Sequence, residues 1–213
     1  MTKQNFTSIN VILDRSGSMA SLASETISGF NKFLAEQKAV KEEAVLTLAT
    51  FASDYTLIHD FVPLDSICDL TADNYKPAGY TSLLYAIGRT IDATGKRLAE
   101  MPEEQRPSKI ICLIISDGRE NHSHHIKNSF TREQILNKIT HQQEKYNWEF
   151  VYLGASADQI QDSISIGIRK ENTMKYDLTG AGVTTSYNTI SGSLKSYRLG
   201  NTQRADFFDQ DKK

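Results

Sequence analysis

Apolar residues recur along this chain with two alternating spacings, which predict strands separated by helices. Short apolar runs predict six strands, at residues 8–13, 44–51, 56–62, 109–116, 148–153 and 174–176. Apolar positions three and four residues apart predict helices that include residues 27–34, 81–98, 131–139, 156–166 and 183–197. The run at 109–116 is almost wholly apolar, which is typical of a strand that is covered on both faces.

The order of these elements predicts a single α/β domain. The turn between the second and third strands is too short for a parallel crossover, so these two strands are expected to be antiparallel. Strands alternate with helices elsewhere, which predicts a doubly wound, mainly parallel six-stranded sheet with one antiparallel edge strand and helices on both faces. We assign residues 1–199 to this domain and residues 200–213 to a polar C-terminal tail.

Composition and charge fit a folded protein of the cytoplasm. The 213 residues are 39% apolar and 23% charged, with a net charge of −2, so we expect no nucleic-acid partner held by charge. The sequence has neither a signal peptide nor an apolar run that could span a bilayer, so we expect no membrane contact. Cys112 lies in an apolar run and is interpreted as a core residue, with a disulfide to Cys68 as the alternative.

Oxygen-bearing side chains follow the predicted strands where the fold would bring them together. Asp14 ends the first strand, Asp117 ends the strand at 109–116, and Thr81 is predicted to open a helix. Ligands of open α/β sheets bind beyond the carboxyl ends of the strands, so these side chains are expected to lie close together. Ser16 and Ser18 follow Asp14 at alternate positions, where a turning loop can direct all three side chains to one point.

These five residues form a predicted metal site. Carboxylate and hydroxyl oxygens are hard ligands, which suit Mg²⁺, Mn²⁺ or Ca²⁺ and are poor ligands for Zn²⁺ or Cu²⁺. We predict Mg²⁺, or Mn²⁺ in its place, with Ca²⁺ as the third choice. A coordination position left free would accept a carboxylate from a partner. The predicted ligands are Asp14, Ser16, Ser18, Thr81 and Asp117.

Each fragment of this set also has a simpler interpretation. Ser16, Ser18 or Thr81 could cap a helix, and Asp117 with Gly118 could form an ordinary turn. Three such fragments at strand ends of one sheet favour the metal site over separate caps and turns.

Three motifs, in this order, resemble those of von Willebrand factor A domains. Residues 14–19, Asp-Arg-Ser-Gly-Ser-Met, resemble the first motif of that family's metal-ion-dependent adhesion site. Residues 79–83, Gly-Tyr-Thr-Ser-Leu, resemble the second, and residues 114–118, Ile-Ile-Ser-Asp-Gly, resemble the third. The resemblance spans residues 6–198 and is strongest to the stand-alone bacterial or phage type. Tyr80 departs from it, because the second motif often has a glycine there.

The resemblance implies a Rossmann-like fold and a function. It implies that Ser16 and Ser18 bind the metal directly, and that Asp14, Thr81 and Asp117 bind it directly or through water. It further implies a non-enzymatic, metal-dependent module that captures an Asp or Glu side chain of a partner protein. The oligomeric state stays open.

Two other functions stay open. The first is a metal-dependent phosphatase or hydrolase. A haloacid-dehalogenase-like phosphatase would have a second Asp at the position of Ser16, and the sequence contains neither a P-loop nor a nucleophile elbow. The second alternative is a scaffold subunit of an ATPase- or chelatase-type complex.

Several charged or titratable residues are expected at the rim of this site. His122, His124 and His125 are interpreted as an exposed loop that affects specificity or its pH dependence, with a second metal site as the alternative. Arg15 and Arg119 are interpreted as ordinary surface residues, with attraction of an acidic partner as the alternative.

Overall fold

The computed structural model describes residues 1–200 and 207–208, which form an α/β domain around one six-stranded sheet. The strands are β1 (Lys3–Asp14), β2 (Glu43–Phe51), β3 (Tyr55–Pro63), β4 (Pro107–Ser116), β5 (Glu149–Gly154) and β6 (Thr173–Lys175). The helices are α1 (Ala23–Lys38), α2 (Leu83–Glu100), α3 (Arg132–Tyr146), α4 (Ala157–Ser165) and α5 (Gly180–Arg198).

The sheet has the predicted topology. The strand order is β3-β2-β1-β4-β5-β6, with β3 antiparallel to β2 and every other neighbouring pair parallel. The predicted fold class, with its antiparallel edge strand, is therefore confirmed. β2 and β3 lie on one side of β1 in the sheet, and β4, β5 and β6 lie on the other side. The direction in which successive strands are added therefore reverses between β1 and β4. The carboxyl ends of these two strands form the crevice in which ligands of such sheets bind.

Apolar side chains cover both faces of the sheet. On one face, α1 and α5 contribute buried residues that include Phe30, Tyr187 and Ile190. On the other face, α2 and α3 contribute buried residues that include Ile87 and Ile139. Because both faces are covered, β4 and β5 are apolar along most of their length, as the run at 109–116 predicts.

Two element boundaries differ from the predictions for identifiable reasons. β1 begins at Lys3, five residues before the predicted start at residue 8, because its first three residues are exposed and have no apolar pattern. Lys3 nevertheless pairs with the start of β4 through its backbone. α2 begins at Leu83 rather than at Thr81, because the backbone of Thr81 is bonded to Asn121 instead of to the helix.

The predicted tail, residues 200–213, lies outside the described residues apart from Gly200, Phe207 and Phe208. Phe207 is 4% exposed, and its ring lies 5.8 Å from that of Tyr197 on α5. The hydroxyl of Ser193, also on α5, donates to the Phe207 carbonyl at 2.7 Å. This phenylalanine therefore packs on the domain, although the tail as a whole is polar.

The two cysteines do not form a disulfide. Cys68 and Cys112 are both free, and Cys112 is buried as predicted. Among the described residues, none of the helices combines the length and the apolar character that a membrane span requires.

α1 and α5 pack closely at Gly29, which has no side chain, and this gives a test of the fold. A methyl group at Gly29 would lie 2.4 Å from Cδ2 of the buried Tyr187, whereas one at Gly192 would have no atom within 4 Å. We expect Gly192→Ala to raise the free energy of unfolding by about 0.5–1 kcal/mol, because alanine is the better helix former. We expect Gly29→Ala to be less stable than Gly192→Ala by about 1–3 kcal/mol, the usual cost of overpacking. Urea unfolding of the two variants measures this difference, and equal stabilities would contradict the described packing.

Candidate metal site

The loop after β1 is fixed by backbone hydrogen bonds to a neighbouring strand and to the loop before α2. The Arg15 N–H donates to the Phe51 carbonyl at 2.8 Å, and the Ala78 N–H donates to the Arg15 carbonyl at 2.8 Å. The Gly17 N–H donates to the Gly79 carbonyl at 3.0 Å. The first and second motif loops therefore lie side by side.

Gly79 is required by its conformation and by its neighbours. Its φ is +81°, a region that residues with a side chain rarely adopt. A methyl group there would also lie 2.6 Å from the hydroxyl oxygen of Ser53, which accepts the Tyr80 N–H at 2.9 Å. The glycine of the second motif thus has a structural reason in this chain.

The side chain of Asp14 lies buried at the floor of the site, with both oxygens engaged. Oδ1 accepts the Ser16 N–H at 2.7 Å, and Oδ2 accepts the Ser116 hydroxyl at 2.5 Å. The Asp14 carbonyl accepts the Tyr75 hydroxyl at 2.6 Å. The bonds from Ser16 and Ser116 hold the carboxylate in one orientation, and the bond from Tyr75 holds the main chain of Asp14.

Three predicted ligands lie in direct contact above this floor. The hydroxyl oxygens of Ser16 and Ser18 are 3.2 Å apart, and the Ser18 hydroxyl donates to Asp117 Oδ1 at 2.6 Å. Oxygens on adjacent corners of an octahedron around Mg²⁺, each at about 2.0–2.1 Å from the ion, are about 2.9 Å apart. The observed separations lie on either side of this value, so the arrangement fits a small divalent cation.

The interpretation of the two serines as helix caps is not supported. Ser16 precedes a 3-10 helix at Gly17–Leu22, but its side chain makes no capping hydrogen bond. Ser18 lies inside this short helix and is bonded across the sheet edge to Asp117. Their hydroxyl groups are therefore available to a ligand.

Thr81 joins the second and third motif loops. Its N–H donates to Asn121 Oδ1 at 2.9 Å, and its carbonyl accepts the Asn121 N–H at 3.1 Å. A methyl group at Gly118 would lie 2.7 Å from Thr81 Oγ1, so this glycine lets the third motif approach the threonine hydroxyl. Thr81 does not occupy the N-cap position of α2, which belongs to Ser82. The structure thus brings all five predicted site residues to one edge of the sheet.

The charge at this edge is costly without a cation. Burial raises the pKa of Asp14 to about 6, although hydrogen bonds from Ser116 and Ser16 lower it. Burial also raises the pKa of Asp117. Low-polarity surroundings disfavour an ionised carboxyl group, and a nearby positive charge reverses this effect. A divalent cation between the two carboxylates would therefore be stabilised by them.

The donor set depends on hydroxyl groups. Nowhere in residues 1–200 and 207–208 do three or more His, Cys, Asp or Glu side chains form a group that could hold a metal. The two carboxylates would therefore need hydroxyl oxygens or water to complete a coordination shell. His122, His124 and His125 do not form such a group either, so the alternative of a second metal site on their loop is not supported.

Several residues that shape the site are absent from the sequence prediction. Glu120 accepts the backbone N–H groups of Leu84, His122 and Ser123 at 2.7–2.9 Å, which ties the loop after β4 to the start of α2. Gln159 on α4 donates to the Asp117 carbonyl at 2.6 Å. Glu120 and Leu84 are 36 residues apart along the chain, and Gln159 and Asp117 are 42 residues apart, so no local sequence pattern indicates these bonds.

The rim consists of aromatic and charged side chains. Tyr80 is 63% exposed, and its ring is stacked on His122 with the centroids 5.1 Å apart and the planes at 17°. Arg15 forms an ion pair with Asp54 at 2.5 Å. Arg119 pairs with the carboxylates of α4, at 3.1 Å from Asp162 and 3.6 Å from Asp158. Both arginines therefore already have acidic neighbours.

Comparison of the sequence alone finds no relative: no family model and no curated protein matches this chain. Comparison of the structure does find similar proteins. The vWF domain of the type V pili tip protein Mfa5 from Porphyromonas gingivalis is 9% identical, with a TM-score of 0.63 over 92% of this chain and 96% of that one. Manganese-loaded TRAP protein from Plasmodium vivax is 14% identical, with a TM-score of 0.56 over 86% of this chain and 73% of that one.

A third similar structure is a D319A mutant of the PilB minor pilin from Streptococcus sanguinis. It is 12% identical, with a TM-score of 0.63 over 92% of this chain. The chain spans 63% of the length of that pilin. At these identities the likeness concerns the fold, and this chain accordingly has the fold of von Willebrand factor type A domains.

Proposed function

We propose that this chain is a protein-binding module that holds one divalent cation and uses it to capture an Asp or Glu side chain of a partner protein. The observation that carries the proposal is the convergence of Ser16, Ser18 and Asp117. Their oxygens approach one another at 3.2 and 2.6 Å above the buried carboxylate of Asp14. Ser18 is exposed and Asp117 is only half-buried, so a partner can reach this side of the site.

Each predicted ligand has a distinct role in the proposal. Ser16 and Ser18 would hold the ion directly through neutral hydroxyl oxygens, and Thr81 would bind it directly or through water. Asp14 and Asp117 would balance its charge. When bound, a divalent cation supplies a Lewis-acidic position at which a carboxylate can bind. Mg²⁺ is the proposed ion, with Mn²⁺ next and Ca²⁺ third, since all three prefer oxygen ligands. A fold neighbour, the TRAP protein, is manganese-loaded, which supports Mn²⁺ as an ion that this site could hold.

The environment of Asp14 favours binding over catalysis. A haloacid-dehalogenase-like phosphatase would need a carboxylate that can attack its substrate. Asp14 is fully buried, and both of its oxygens accept short hydrogen bonds, from the Ser16 N–H and the Ser116 hydroxyl. It is therefore poorly placed as a nucleophile, and we propose that the chain is not an enzyme.

The nature of the partner is also part of the proposal. Mfa5 is a pili tip protein and PilB is a minor pilin, and both share this fold. They support a protein as the partner, rather than a nucleic acid or a membrane. We propose a cytoplasmic location, with which the two free cysteines are compatible. A location outside the cell, where pili act, is the alternative that cell fractionation would test.

The metal site can be tested by calorimetric titration of the metal-stripped protein with Mg²⁺ and Mn²⁺. We expect one ion to bind per chain. Ser16→Ala removes a proposed direct ligand and should weaken binding by more than about 100-fold, which exceeds the 10–100-fold effect of an outer-shell change. Asp117→Ala should weaken binding by at least about 10-fold, whether Asp117 binds the ion directly or through water.

The matched controls are Ser66→Ala and Asp69→Ala, which change exposed residues of the same types outside the site. These two variants should bind like the unaltered chain. Unchanged Mg²⁺ affinity in Ser16→Ala or Asp117→Ala, with the fold intact by circular dichroism, would refute the ligand assignment.

The capture of carboxylates can be tested by selecting a displayed library of random peptides on the immobilised protein, in Mg²⁺ and in EDTA. Peptides with Asp or Glu should be enriched in Mg²⁺ only. A selected peptide should bind Thr81→Ala roughly tenfold more weakly, because one polar contact to a charged group is lost. The Mg²⁺ affinity of this variant should change less. If peptide and metal affinity fall by the same factor, Thr81 has no separate role in capture. Metal-dependent turnover of a phosphate ester would instead favour the phosphatase.

A further inference from the structure

Tyr80 is a large aromatic residue exposed at the rim of the candidate metal site. One face of its ring is covered by the imidazole of His122, with the planes nearly parallel at 17°. The residue is nevertheless 63% exposed, so most of the remaining ring surface faces solvent. Exposed, rigid tyrosines are frequent among the residues that dominate protein interfaces. We refer to the stacked rings of Tyr80 and His122 as the rim stack.

The backbone beneath both rings is held firmly. The Tyr80 N–H donates to the Ser53 hydroxyl at 2.9 Å, and the His122 N–H donates to the carboxylate of Glu120 at 2.9 Å. The reciprocal bonds between Thr81 and Asn121 join the residues that follow Tyr80 and precede His122. Little ordering is therefore needed when a partner binds, and this preserves more of the contact energy as affinity.

Both residues of the rim stack are close along the chain to residues of the proposed metal site. Tyr80 immediately precedes Thr81, and the side chain of Asn121, next to His122, is bonded to Thr81. This surface is therefore within reach of residues one or two positions from an acidic residue bound at the site, because an extended chain advances about 3.3–3.6 Å per residue.

We propose that the rim stack is a second contact surface, which recognises an aromatic side chain one or two residues from the acidic residue of the partner. This inference rests on the proposed function, since it concerns the same partner. Aromatic rings bind each other in offset or edge-to-face arrangements, and such a pair should strengthen binding by roughly three- to tenfold.

The arrangement of the rim stack favours an aromatic ring as the group that it recognises. Tyr80 already holds the ring of His122 nearly parallel on one face, and an aromatic side chain on the open face would extend this stack. The planar cation of arginine would also be attracted to the face of Tyr80, so the experiment has to distinguish the two.

The peptide selection described above tests the inference when it is repeated on Tyr80→Ala and Tyr80→Phe. The unaltered chain and Tyr80→Phe should enrich peptides with Trp, Tyr or Phe next to the acidic residue. Tyr80→Ala should still enrich acidic residues but lose the aromatic preference. Tyr146→Ala, which removes another exposed tyrosine, on α3, is the matched control and should select like the unaltered chain.

Titration of one selected peptide gives the magnitude. Its affinity should fall roughly three- to tenfold in Tyr80→Ala and stay unchanged when its own aromatic residue is absent, because the two rings act on each other. The Mg²⁺ affinity, measured in parallel, reports whether the loop keeps its structure.

The outcomes separate the two proposals. Acidic residues enriched without an aromatic neighbour, an aromatic preference that survives Tyr80→Ala, or enrichment of arginine instead would each overturn the rim stack and leave the metal-dependent capture intact. Absence of any Mg²⁺-dependent enrichment of acidic residues would overturn the proposed function, and the rim stack with it.

Discussion

The parallel pairing of β1 with β4 is the constraint on which the rest of the site depends. In this register Leu13 lies opposite Ile115, so Asp14 and Ser116 end neighbouring strands side by side. The hydrogen bond from the Ser116 hydroxyl to Asp14 then fixes the buried carboxylate, and Asp117 follows directly. A shift of one residue would turn the side chains of one strand to the opposite face and separate this group. The apolar cover on both faces of the sheet makes such a shift costly.

Much of this arrangement can be read from the sequence because it depends on periodic patterns and on strand ends. Apolar runs reveal the central strands, and helical spacing reveals the helices that cover them. Asp14 and Asp117 could be placed at one edge of the sheet because the carboxyl ends of parallel strands share an edge. The helical pattern predicts that α2 begins at Thr81, but the helix begins at Leu83. The reason is that the backbone of Thr81 is hydrogen-bonded to Asn121, which no periodic pattern indicates.

The supporting residues could not be predicted in the same way. Tyr75, Glu120 and Gln159 are ordinary loop or helix residues in the sequence, and each acts by bonding a backbone group distant along the chain. Such bonds follow from the folded arrangement and leave no periodic signal. The burial of Phe207 is a similar case, since a polar segment gave no indication that one aromatic residue within it packs on α5.

The way in which Glu120 holds its loop has a consequence for how this surface can diversify. The carboxylate accepts the N–H groups of Leu84, His122 and Ser123, together with the Ser123 hydroxyl, and none of these bonds involves a histidine ring. The path of the loop is therefore largely independent of the side chains at His122 and His124. Substitutions at these positions could change which partners are recognised while the backbone stays in place, much as variable loops on a constant scaffold evolve new binding preferences.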